Sequence, residues 1–426
     1  MASYISQVSA LRASGRFTVT IATDSLVSQV TALLGMLDGI VVLDATQVMA
    51  GPYCAMLLAD MGARVIKVEP PAGDSTRSMA GARGNDSAAF NAVNRGKHGI
   101  VLDLNHEQGR AVFARLARTA DILVENYRPG VMQKFGLDYE SLRTENPRLI
   151  YASISGHGQT GPWASKGGFD LIAQGLSGLM SVTGTPTSGP VKIGVPITDL
   201  GAGLFATIGI LGALHHRATS GVGQHVDTSL VDAGIALSVW ETAVYFTTGD
   251  VPEPLGTAHR LSAPYQAFKC ADGYITIGAA NDRNFIKVAR VLGRHEWLTD
   301  DRFAGNTQRI AHREELARLI EAVTISHPVA HWISEFERAG VPCGPILDYE
   351  DALTTPQAIA RQMTVDVDHP ALGKLRTLGT PIKMSGTPLN PARRGPMLGE
   401  HTDDVLSAAG YSSDEIEQLR HSGVVI

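Results

Sequence analysis

The sequence predicts an α/β fold whose main part is a doubly wound parallel sheet. Short β-branched apolar runs alternate with helical segments from about residue 39 to residue 155. At roughly 150 residues per domain, the 426 residues allow two or three domains. With 44% apolar and 18% charged residues, the chain can bury a large core, which excludes a disordered protein.

The first predicted unit is a strand, a helix and a second strand. Residues 39–44 form a short β-branched run, which is typical of a buried strand. A helix is predicted from residue 50 to residue 61, and a second strand over residues 63–69. A helix that joins two parallel strands requires a right-handed crossover and a sheet covered on both faces.

The alternation of strands and helices continues along the chain. Further strands are predicted over residues 99–103, 121–125, 148–155 and 224–229. Helices are predicted over residues 107–118, 131–135, 139–144, 169–181, 198–219 and 231–247. A linker over 249–256 precedes a hairpin of strands 265–270 and 274–278, whose Asp-Gly turn is a strong signal. Helices follow near 284–292, 312–323, 329–340, 403–409 and 413–422.

Charge and cysteine content exclude several classes of protein. The chain has 36 basic and 42 acidic residues, a net charge of −6, without the basic surplus of a nucleic-acid binder. Its three cysteines are far apart, which excludes a disulfide scaffold and fits a reducing compartment such as the cytoplasm. The longest small and apolar run, residues 200–214, is shorter than the roughly 18–20 residues that cross a bilayer, so we expect no membrane partner.

Residues 1–35 differ in composition from the rest of the chain. They contain Arg12, Arg16 and one acid, Asp24, among many Ser and Thr residues. This composition resembles a mitochondrial transit peptide. The alternative is a start codon assigned too early, because Met36 directly precedes the first patterned segment.

A formal GxGxxG motif spans residues 156–161. The dinucleotide interpretation requires a helix to begin there, with its N–H groups facing a pyrophosphate. Loop residues follow instead, so we expect a glycine-rich wall beside a reaction centre. The turn over residues 47–52 lies where open α/β sheets bind ligands, but its single glycine leaves a plain connection equally open.

Two basic residues follow the predicted strand 121–125. Arg128 and Lys134 lie at the ligand-binding end of a parallel sheet, where phosphate groups need such cations. Arg95 and Lys97 precede a strand, which places them at the opposite end unless their loop folds over. Each of these four residues alone is compatible with a solvated surface charge.

The candidate nucleophile is a carboxylate. Asp170 is the only ionisable residue between Lys166 and Lys192, and glycine and apolar residues surround it in the sequence. Carboxylates serve as covalent nucleophiles, and partial desolvation increases their reactivity. An N-cap at the start of a helix is the alternative role. The chain has no HExxH, GxSxG or Walker A sequence, so we expect no metal site.

Motifs along residues 37–426 resemble class III CoA-transferases. They include LDGIVVLDATQVMAGPYC, ADMGARVIKVEPPAGDSTR, NRGKHGIVLDL, DILVENYRPGV, SGHGQTGP, GFDLIAQGLSGLMSVTG and LGEHTDDVL, in one order over nearly the whole chain. The segment GTAHRLSAPYQAFKCADGYITIGAAND is most similar to the succinyl-CoA:glutarate subgroup. The resemblance implies a large Rossmann-like CoA-binding domain over 36–220 and 345–426, a linker and smaller inserted α+β domain over 221–344, and an interlocked homodimer.

The resemblance also implies roles for individual residues. The family nucleophile falls on Asp170. CoA, a substrate and not a permanent cofactor, is expected at Met49, Ala50, Lys97, Leu102, Asn105, Asn126, Tyr127, Arg128, Lys134, Gly156 and His157. Met49 stands where formyl-CoA transferase has Gln, and residues 255–285 lack its triple-glycine loop, which argues against formyl or oxalyl substrates. Pro70 stands where that enzyme has Arg, which argues against the same adenine contact. His157 replaces the usual aromatic residue after Ser-Gly.

The expected reaction moves CoA from an acyl-CoA donor, with succinyl-CoA favoured, to a free carboxylic acid. A dicarboxylate acceptor needs a cation for its distal carboxylate, and His259 and Arg260 are the candidates. Three alternatives remain from the sequence. They are a nucleotide-dependent oxidoreductase, a non-catalytic acyl-CoA-binding protein and an acyl-CoA racemase of the same fold, which would need a His/Asp pair.

Overall fold

A six-stranded parallel sheet forms the centre of the molecule. A computed structural model describes residues 35–79, 81–84 and 86–426, so the expectation for residues 1–35 lies outside the described part except at its last residue. The strands are β1 (Val41–Ala45), β2 (Arg64–Glu69), β3 (His98–Val101), β4 (Ile122–Glu125), β5 (Ile150–Ser155) and β6 (His225–Ser229). Their order is β3-β2-β1-β4-β5-β6, and all neighbours are parallel. This order confirms the predicted doubly wound sheet and places its topological switch point between β1 and β4.

Helices cover both faces of this sheet. The first half of the chain contributes α1 (Ala50–Asp60), α2 (Ala88–Asn94), α3 (Glu107–Thr119), α4 (Val131–Phe135), α5 (Tyr139–Leu142), α6 (Asp170–Leu176), α7 (Leu179–Val182) and α8 (Ile197–Ser220). One core cluster contains α1 and α8 residues such as Leu58 and Ile210. The cluster on the opposite face contains α3 residues such as Phe113.

The carboxyl-terminal residues return to this second cluster. Helices α17 (Thr402–Ala408) and α18 (Ser413–His421) contribute Leu406 and Leu419, both buried with Phe113. The Asp103 N–H donates to the Val424 carbonyl at 3.0 Å, which ties the chain end to the end of β3. The strands from β1 onward and the carboxyl-terminal helices therefore build the same layered unit.

A smaller antiparallel sheet lies between these two parts of the sequence. It is formed by β7 (Tyr265–Lys269), β8 (Tyr274–Gly278) and β9 (Cys343–Pro345), in that order. Its helices are α11 (Asp282–Val291), α12 (Asn306–Ala311), α13 (Arg313–Thr324) and α14 (Val329–Ala339), which share a separate core with it. The predicted hairpin is present, closed by a hydrogen bond from the Cys270 N–H to the Gly273 carbonyl at 2.8 Å.

Some boundaries differ from those expected. Because β6 pairs with β5, the large sheet continues past residue 220 to Ser229. Strand β9 crosses the expected boundary at residue 344. The predicted helix 231–247 is two helices, α9 (Leu230–Leu237) and α10 (Val239–Thr248), because Ser238 between them has a non-helical backbone.

The sequence patterns did not reveal an antiparallel hairpin near the chain end. It consists of β10 (Thr364–His369) and β11 (Gly373–Leu378). Neither strand contains a continuous apolar run. Two short helices, α15 (Tyr349–Thr354) and α16 (Pro356–Ala360), precede it and were also not predicted. They have no buried residues, so they lack the apolar periodicity on which such predictions depend.

Helix α8 is longer than the apolar run within it. Its 24 residues are long and apolar enough to cross a membrane by length and composition alone, so the short apolar run was not a sufficient argument. In the structure it packs against α1 and the edge formed by β5 and β6, with Ala202, Ala206 and Ile210 buried.

Candidate active site

A cleft lies at the carboxyl edge of the sheet, beside the switch point between β1 and β4. Its volume is about 430 Å³, and residues at the ends of three strands line it. Its lining residues are Gln47, Val48, Met49, Ala50, Asn126, Tyr127, Arg128, Pro129, Ile154, Ser155, Gly156, Lys166, Gly167, Gly168, Phe169, Asp199 and Leu230. Open α/β sheets bind their ligands at this position.

Residues 46–50, which we call the fixed wall, are held by buried polar groups. Lys67 donates from Nζ to the Thr46 carbonyl at 2.7 Å and forms a fully buried ion pair with Asp74 at 3.2 Å. The Asp74 carboxylate also accepts the Val48 N–H at 3.2 Å. Val48 has a φ of 69°, a left-handed conformation that is unfavourable for a β-branched residue. The buried ion pair therefore holds strained backbone at the cleft.

A side-chain amide fixes the same wall from the neighbouring strand. Asn126, which follows β4, accepts the Gln47 N–H through Oδ1 and donates from Nδ2 to the Gln47 carbonyl, each at 2.8 Å. This pair of bonds spans the switch point and sets the distance between the loops after β1 and β4. Met49, Ala50, Asn126, Tyr127 and Arg128 consequently line one cleft, and their binding of CoA stays a prediction.

Lys97 does not reach this cleft, contrary to the expectation that it contacts CoA. Its side chain is fully buried, and Nζ binds the Asp44 carboxylate, the Pro52 carbonyl and the Asn94 side chain at 2.8–2.9 Å. Burial lowers the pKa of Lys97 to about 8. All three ammonium donors are thus used inside the protein, where Lys97 supports α1 instead of binding a phosphate.

Residues 156–169, which we call the glycine wall, form the opposite side of the cleft. No helix begins within them, so the dinucleotide interpretation of the GxGxxG motif does not hold. At Gly156 and Gly168 two segments of this wall cross in direct contact. A Cβ on Gly156 would lie 2.7 Å from the Gly168 Cα, and one on Gly168 would lie 2.5 Å from the Gly156 Cα. Only glycine permits this approach, which brings the start of α6 to the end of β5.

Asp170 is the first residue of α6 and is half-buried. Its Oδ1 accepts the backbone N–H of Thr198 at 3.0 Å and the Thr198 hydroxyl at 2.7 Å. Its Oδ2 accepts from Gln174 Nε2 at 2.7 Å. The helix cap is Phe169, and Asp170 makes no capping bond, so the alternative structural role is wrong. The carboxylate is instead fixed against the beginning of α8.

The charges around Asp170 are unevenly distributed. Asp199, the residue after Thr198, lines the cleft, and burial together with the negative charge of Asp170 raises the pKa of its carboxyl to about 6. Arg128 is exposed at the same cleft and packs closely against Gly167. Lys166 lies 4.6 Å from the centre of the Trp163 ring. A cation–π contact of this kind holds a positive charge on the glycine wall.

Other residues expected to bind CoA lie outside the cleft lining. Leu102 is buried in the core below the end of β3, and Asn105 is exposed beside Asp103. Lys134 is exposed on α4. His157 contacts Trp163 edge to face, with ring centres 5.9 Å apart. The exposed Asn105 and Lys134 side chains can therefore contact the outer part of a long ligand. The buried Leu102 side chain cannot.

The two residues expected to bind an acceptor lie near the smaller sheet. His259 contacts Trp240 and Tyr265, with ring centres 5.3 and 5.0 Å away. Arg260 donates to the Glu253 carbonyl at 2.6 Å. Neither residue lines the cleft beside Asp170.

Sequence reasoning missed three residues around the nucleophile. Gln174 lies four residues after Asp170, a spacing that places two helical side chains together, and this signal was available. Thr198 and Asp199 reach Asp170 only through the tertiary packing of α8, because 28 residues separate Thr198 from it. Nothing in the local sequence indicates that contact.

Comparison with known proteins decides the family. The model of CoA-transferase family III matches residues 37–402. The chain belongs to CoA-transferase family III. Its similarity extends to a succinate–glutarate CoA-transferase of Agrobacterium fabrum, 41% identical over 87% of this chain and 95% of that protein. The succinyl-CoA:glutarate CoA-transferase of Mus musculus is 38% identical over 91% of this chain and 90% of its own.

A solved structure agrees with this assignment. The crystal structure of a CAIB/BAIF family protein from Brucella suis has a TM-score of 0.78 and 39% identity, covering 88% of this chain and all of that one. The protein is therefore a CoA-transferase that uses CoA thioesters, and the oxidoreductase alternative is not supported. A racemase would need a His/Asp pair, whereas the hydrogen-bond partners of Asp170 are Thr198 and Gln174.

Among the described residues no group of three or more His, Cys, Asp and Glu side chains is placed to hold a metal ion.

Proposed function

We propose that this CoA-transferase moves CoA from succinyl-CoA to a free dicarboxylate through a thioester formed on Asp170. One observation carries the proposal. Thr198 and Gln174 hold the Asp170 carboxylate next to the cleft-lining residues Phe169 and Asp199, and no cation pairs with it among the described residues. A carboxylate that is oriented but not neutralised by a cation retains its nucleophilic charge.

The first half of the reaction transfers CoA to the enzyme. An Asp170 oxygen attacks the thioester carbonyl, the C–S bond breaks, and a mixed anhydride and CoA thiolate form. The thiolate then attacks the Asp170 carbonyl, the anhydride C–O bond breaks, and the donor leaves as a carboxylate. Asp170 now carries CoA as a thioester.

The second half reverses these steps with the acceptor. The acceptor carboxylate attacks the Asp170 thioester, which gives a second anhydride and CoA thiolate. The thiolate attacks the acyl carbonyl of the acceptor, so acyl-CoA leaves and the Asp170 carboxylate is restored. One thioester replaces another, so the exchange consumes no proton, oxidant or nucleoside triphosphate.

The cleft supplies groups suited to each part of CoA. Arg128, with Lys134 farther out, would bind the nucleotide phosphates, because guanidinium and ammonium groups suit them. Met49, Ala50, Asn126, Tyr127 and Gly156 line the same cleft as Arg128, next to the start of α6. Backbone N–H groups of the glycine wall are the candidates for stabilising the carbonyl oxygen as it gains charge. Loss of one such donor typically costs about 3–4 kcal/mol.

The assignment of succinyl-CoA and a dicarboxylate rests on the relatives. Succinyl-CoA:mesaconate CoA-transferase of Haloarcula hispanica is 40% identical, like the glutarate enzymes at 38–41%. Acetyl-CoA:oxalate CoA-transferase of Acetobacter aceti, 41% identical, weakens the argument from Met49 against oxalate. All of these acceptors are dicarboxylates, which supports that class over a single acid.

An interlocked homodimer is part of the same proposal. Helix α10 is apolar yet has no buried residue, and Val239, Trp240 and Phe246 expose 64%, 59% and 80% of their surface. On α8, Ile208 exposes 63%. An apolar surface of this extent is typical of a protein interface. Light scattering should give twice the mass of the chain, and Phe246→Glu should lower it, whereas a monomeric wild type would contradict the dimer.

A cytoplasmic location is the remaining part of the proposal. Cys54, Cys270 and Cys343 are all free thiols, which fits a reducing compartment. A fluorescent fusion of the full chain would stay diffuse in the cytoplasm. Mitochondrial targeting that depends on residues 1–35 would contradict this expectation.

An exchange assay tests the function. Labelled succinate or glutarate is incubated with succinyl-CoA, and label in the CoA fraction is measured for wild type, Asp170→Ala and Asp170→Asn. Both variants should lose several orders of magnitude in rate while still binding CoA. The matched control is Asp414→Asn, an exposed aspartate in the first turn of α18. Asp170 variants with a substantial share of the wild-type rate would contradict covalent catalysis.

A further inference from the structure

Two half-buried arginines lie side by side next to the smaller sheet. Arg260 precedes β7, and Arg313 is the first residue of α13. Arg313 Nη2 donates to the Arg260 carbonyl at 3.0 Å, and Arg260 Nη2 donates to the Glu253 carbonyl at 2.6 Å. Each guanidinium therefore binds backbone oxygen, which carries only a partial negative charge.

The positive charges of this pair are not neutralised. No described carboxylate lies within 4.0 Å of Arg260 or Arg313, and the Nε atom of each is buried without a hydrogen-bond partner. Burial and the neighbouring charge of Arg260 lower the pKa of Arg313. Two adjacent cations with unsatisfied donors are unfavourable unless an anion binds between or beside them.

Arg309, on the preceding helix α12, shows how the same region satisfies a structural arginine. Its side chain is fully buried, donates to the Ala263 and Phe303 carbonyls at 2.7 and 3.1 Å, and pairs with Asp282 at 2.6 Å. Arg260 and Arg313 have no such acid. The contrast indicates that their missing partner is a ligand.

A cavity of about 500 Å³ opens beside this pair. Arg313, Gln266, Ala258, Leu255 and Pro186 are among its lining residues. Two acids lie on its rim. The negative charge of Glu314 partly offsets the lowering of the Arg313 pKa, and Glu315 forms an ion pair with Arg302. The volume accommodates a small organic acid, and Gln266 offers a further polar contact.

The cavity is linked to the nucleophile by one segment of chain. Pro186, which belongs to the segment of residues 184–193, lines the cavity. At one end of this segment the Gly184 carbonyl accepts the Gly256 N–H at 2.7 Å. At the other end Gln174 accepts the Ile193 N–H at 2.8 Å through Oε1, while its Nε2 holds Asp170. This segment therefore runs from the loop that precedes Arg260 to the glutamine that holds Asp170.

We propose that Arg260 and Arg313 form a two-arginine anion site that binds the non-reacting carboxylate of the acceptor acid. The inference rests on the proposed transfer to a dicarboxylate and adds the residues that select it. Planar guanidinium groups suit a carboxylate because each donates two hydrogen bonds in a fixed geometry. A phosphate of CoA has related chemistry, and the experiment separates the two ligands.

Kinetics of Arg260→Gln and Arg313→Gln test the site. Glutamine keeps much of the length of arginine but loses its charge, and Arg290→Gln, at an exposed position of α11, is the matched control. With succinyl-CoA as donor, both site variants should raise the KM for glutarate about tenfold or more and leave the KM for butyrate unchanged. The control should change neither value, and melting temperatures of all variants show whether they are folded.

Two further results would overturn the site. An unchanged preference for glutarate over butyrate in both variants would remove the arginines from acceptor binding. A KM increase confined to succinyl-CoA, absent with its 3′-dephospho analogue, would assign the pair to a CoA phosphate instead. Calorimetric titration of glutarate into Asp170→Ala, with and without Arg313→Gln, reports on the site independently of turnover. If wild type transferred CoA to neither acid, the proposed function would fail, whereas this titration would still decide the anion site.

Discussion

The two walls of the cleft are built on opposite principles. The fixed wall, residues 46–50, is held by a buried Lys67–Asp74 pair and by both amide atoms of Asn126. The glycine wall, residues 156–169, has five glycines and contacts its surroundings mainly through backbone, as at Gly156 and Gly168. The fixed wall rests on a buried ion pair, whereas the glycine wall lets two backbone segments approach each other closely.

This difference matches what the proposed mechanism requires of each wall. In that mechanism CoA remains bound while its thioester partner changes from donor to enzyme to acceptor, so a wall that binds CoA benefits from fixed geometry. The carbonyl that gains charge alternates, in the same mechanism, between the substrate and Asp170. The five glycines of this wall have no side chains, so their backbone N–H groups leave room for both positions.

Removal of the cation below the fixed wall should have the largest effect. Lys67→Met leaves the buried Asp74 without its cationic partner, whereas Asp44 keeps Lys97, and loss of one member of a buried pair typically costs about 3–5 kcal/mol. Urea unfolding should show this loss of unfolding free energy. Lys374→Met on exposed β11 is the control and should show no measurable change. Equal stability of both variants would show that the wall does not depend on this pair.

A methyl group in the glycine wall should impair catalysis more than stability. Gly168→Ala places a Cβ 2.5 Å from the Gly156 Cα, so the two segments must separate and shift Asp170. A displacement of about 1 Å can cost 10²-fold in rate, so kcat should fall by about that factor. Gly386→Ala, where a Cβ meets nothing within 4 Å, is the control. Wild-type kcat in Gly168→Ala would contradict the close contact.

Loss of the cation between the walls should affect one substrate selectively. Arg128→Ala should raise the KM for acyl-CoA about tenfold with little change in the KM for the free acid, because it removes binding shared by ground and transition states. Initial rates with each substrate varied in turn measure both constants. An equal rise in the two constants would indicate general destabilisation.

The smallest effect should come from the second acid of the cleft. The pKa of Asp199 is raised to about 6, so the folded protein holds this proton more tightly than the unfolded chain between pH 4 and 6. The stability that the protonated Asp199 carboxyl contributes is therefore lost as the pH rises from about 4 to about 6. Asp199→Asn should match wild type near pH 4 and exceed its unfolding free energy by on the order of 1 kcal/mol at pH 8. A difference independent of pH would contradict the raised pKa.

The fold was largely predictable because its strands are buried on both faces. Runs such as residues 39–44 and 121–125 have no polar interruption, so their strands were found within two residues of the observed bounds. Hairpin β10–β11 was missed because neither strand has a continuous apolar run. The alternation of Asp366 and Asp368 with Val365 and Val367 is the signal of a half-buried strand, and the prediction did not use it.

The site was predictable where one residue type carries the chemistry. Asp170 stands out by its isolation in the sequence, whereas its partner Thr198 is brought to it only by the packing of α8. Lys97 was misassigned because a basic residue near a strand gives no sign of the buried acid, Asp44, that neutralises it. Pairing across the core is a tertiary property, and charge alone does not reveal it.

The central claim is that Asp170 carries CoA as a covalent thioester. The most direct measurement is mass spectrometry of the protein quenched in acid after incubation with succinyl-CoA and no acceptor, followed by peptide mapping. The account predicts an adduct of CoA less water on the peptide that contains Asp170, discharged by added glutarate and absent in Asp170→Asn. An active enzyme that never accumulates this adduct, or an adduct mapped to another residue, would contradict it.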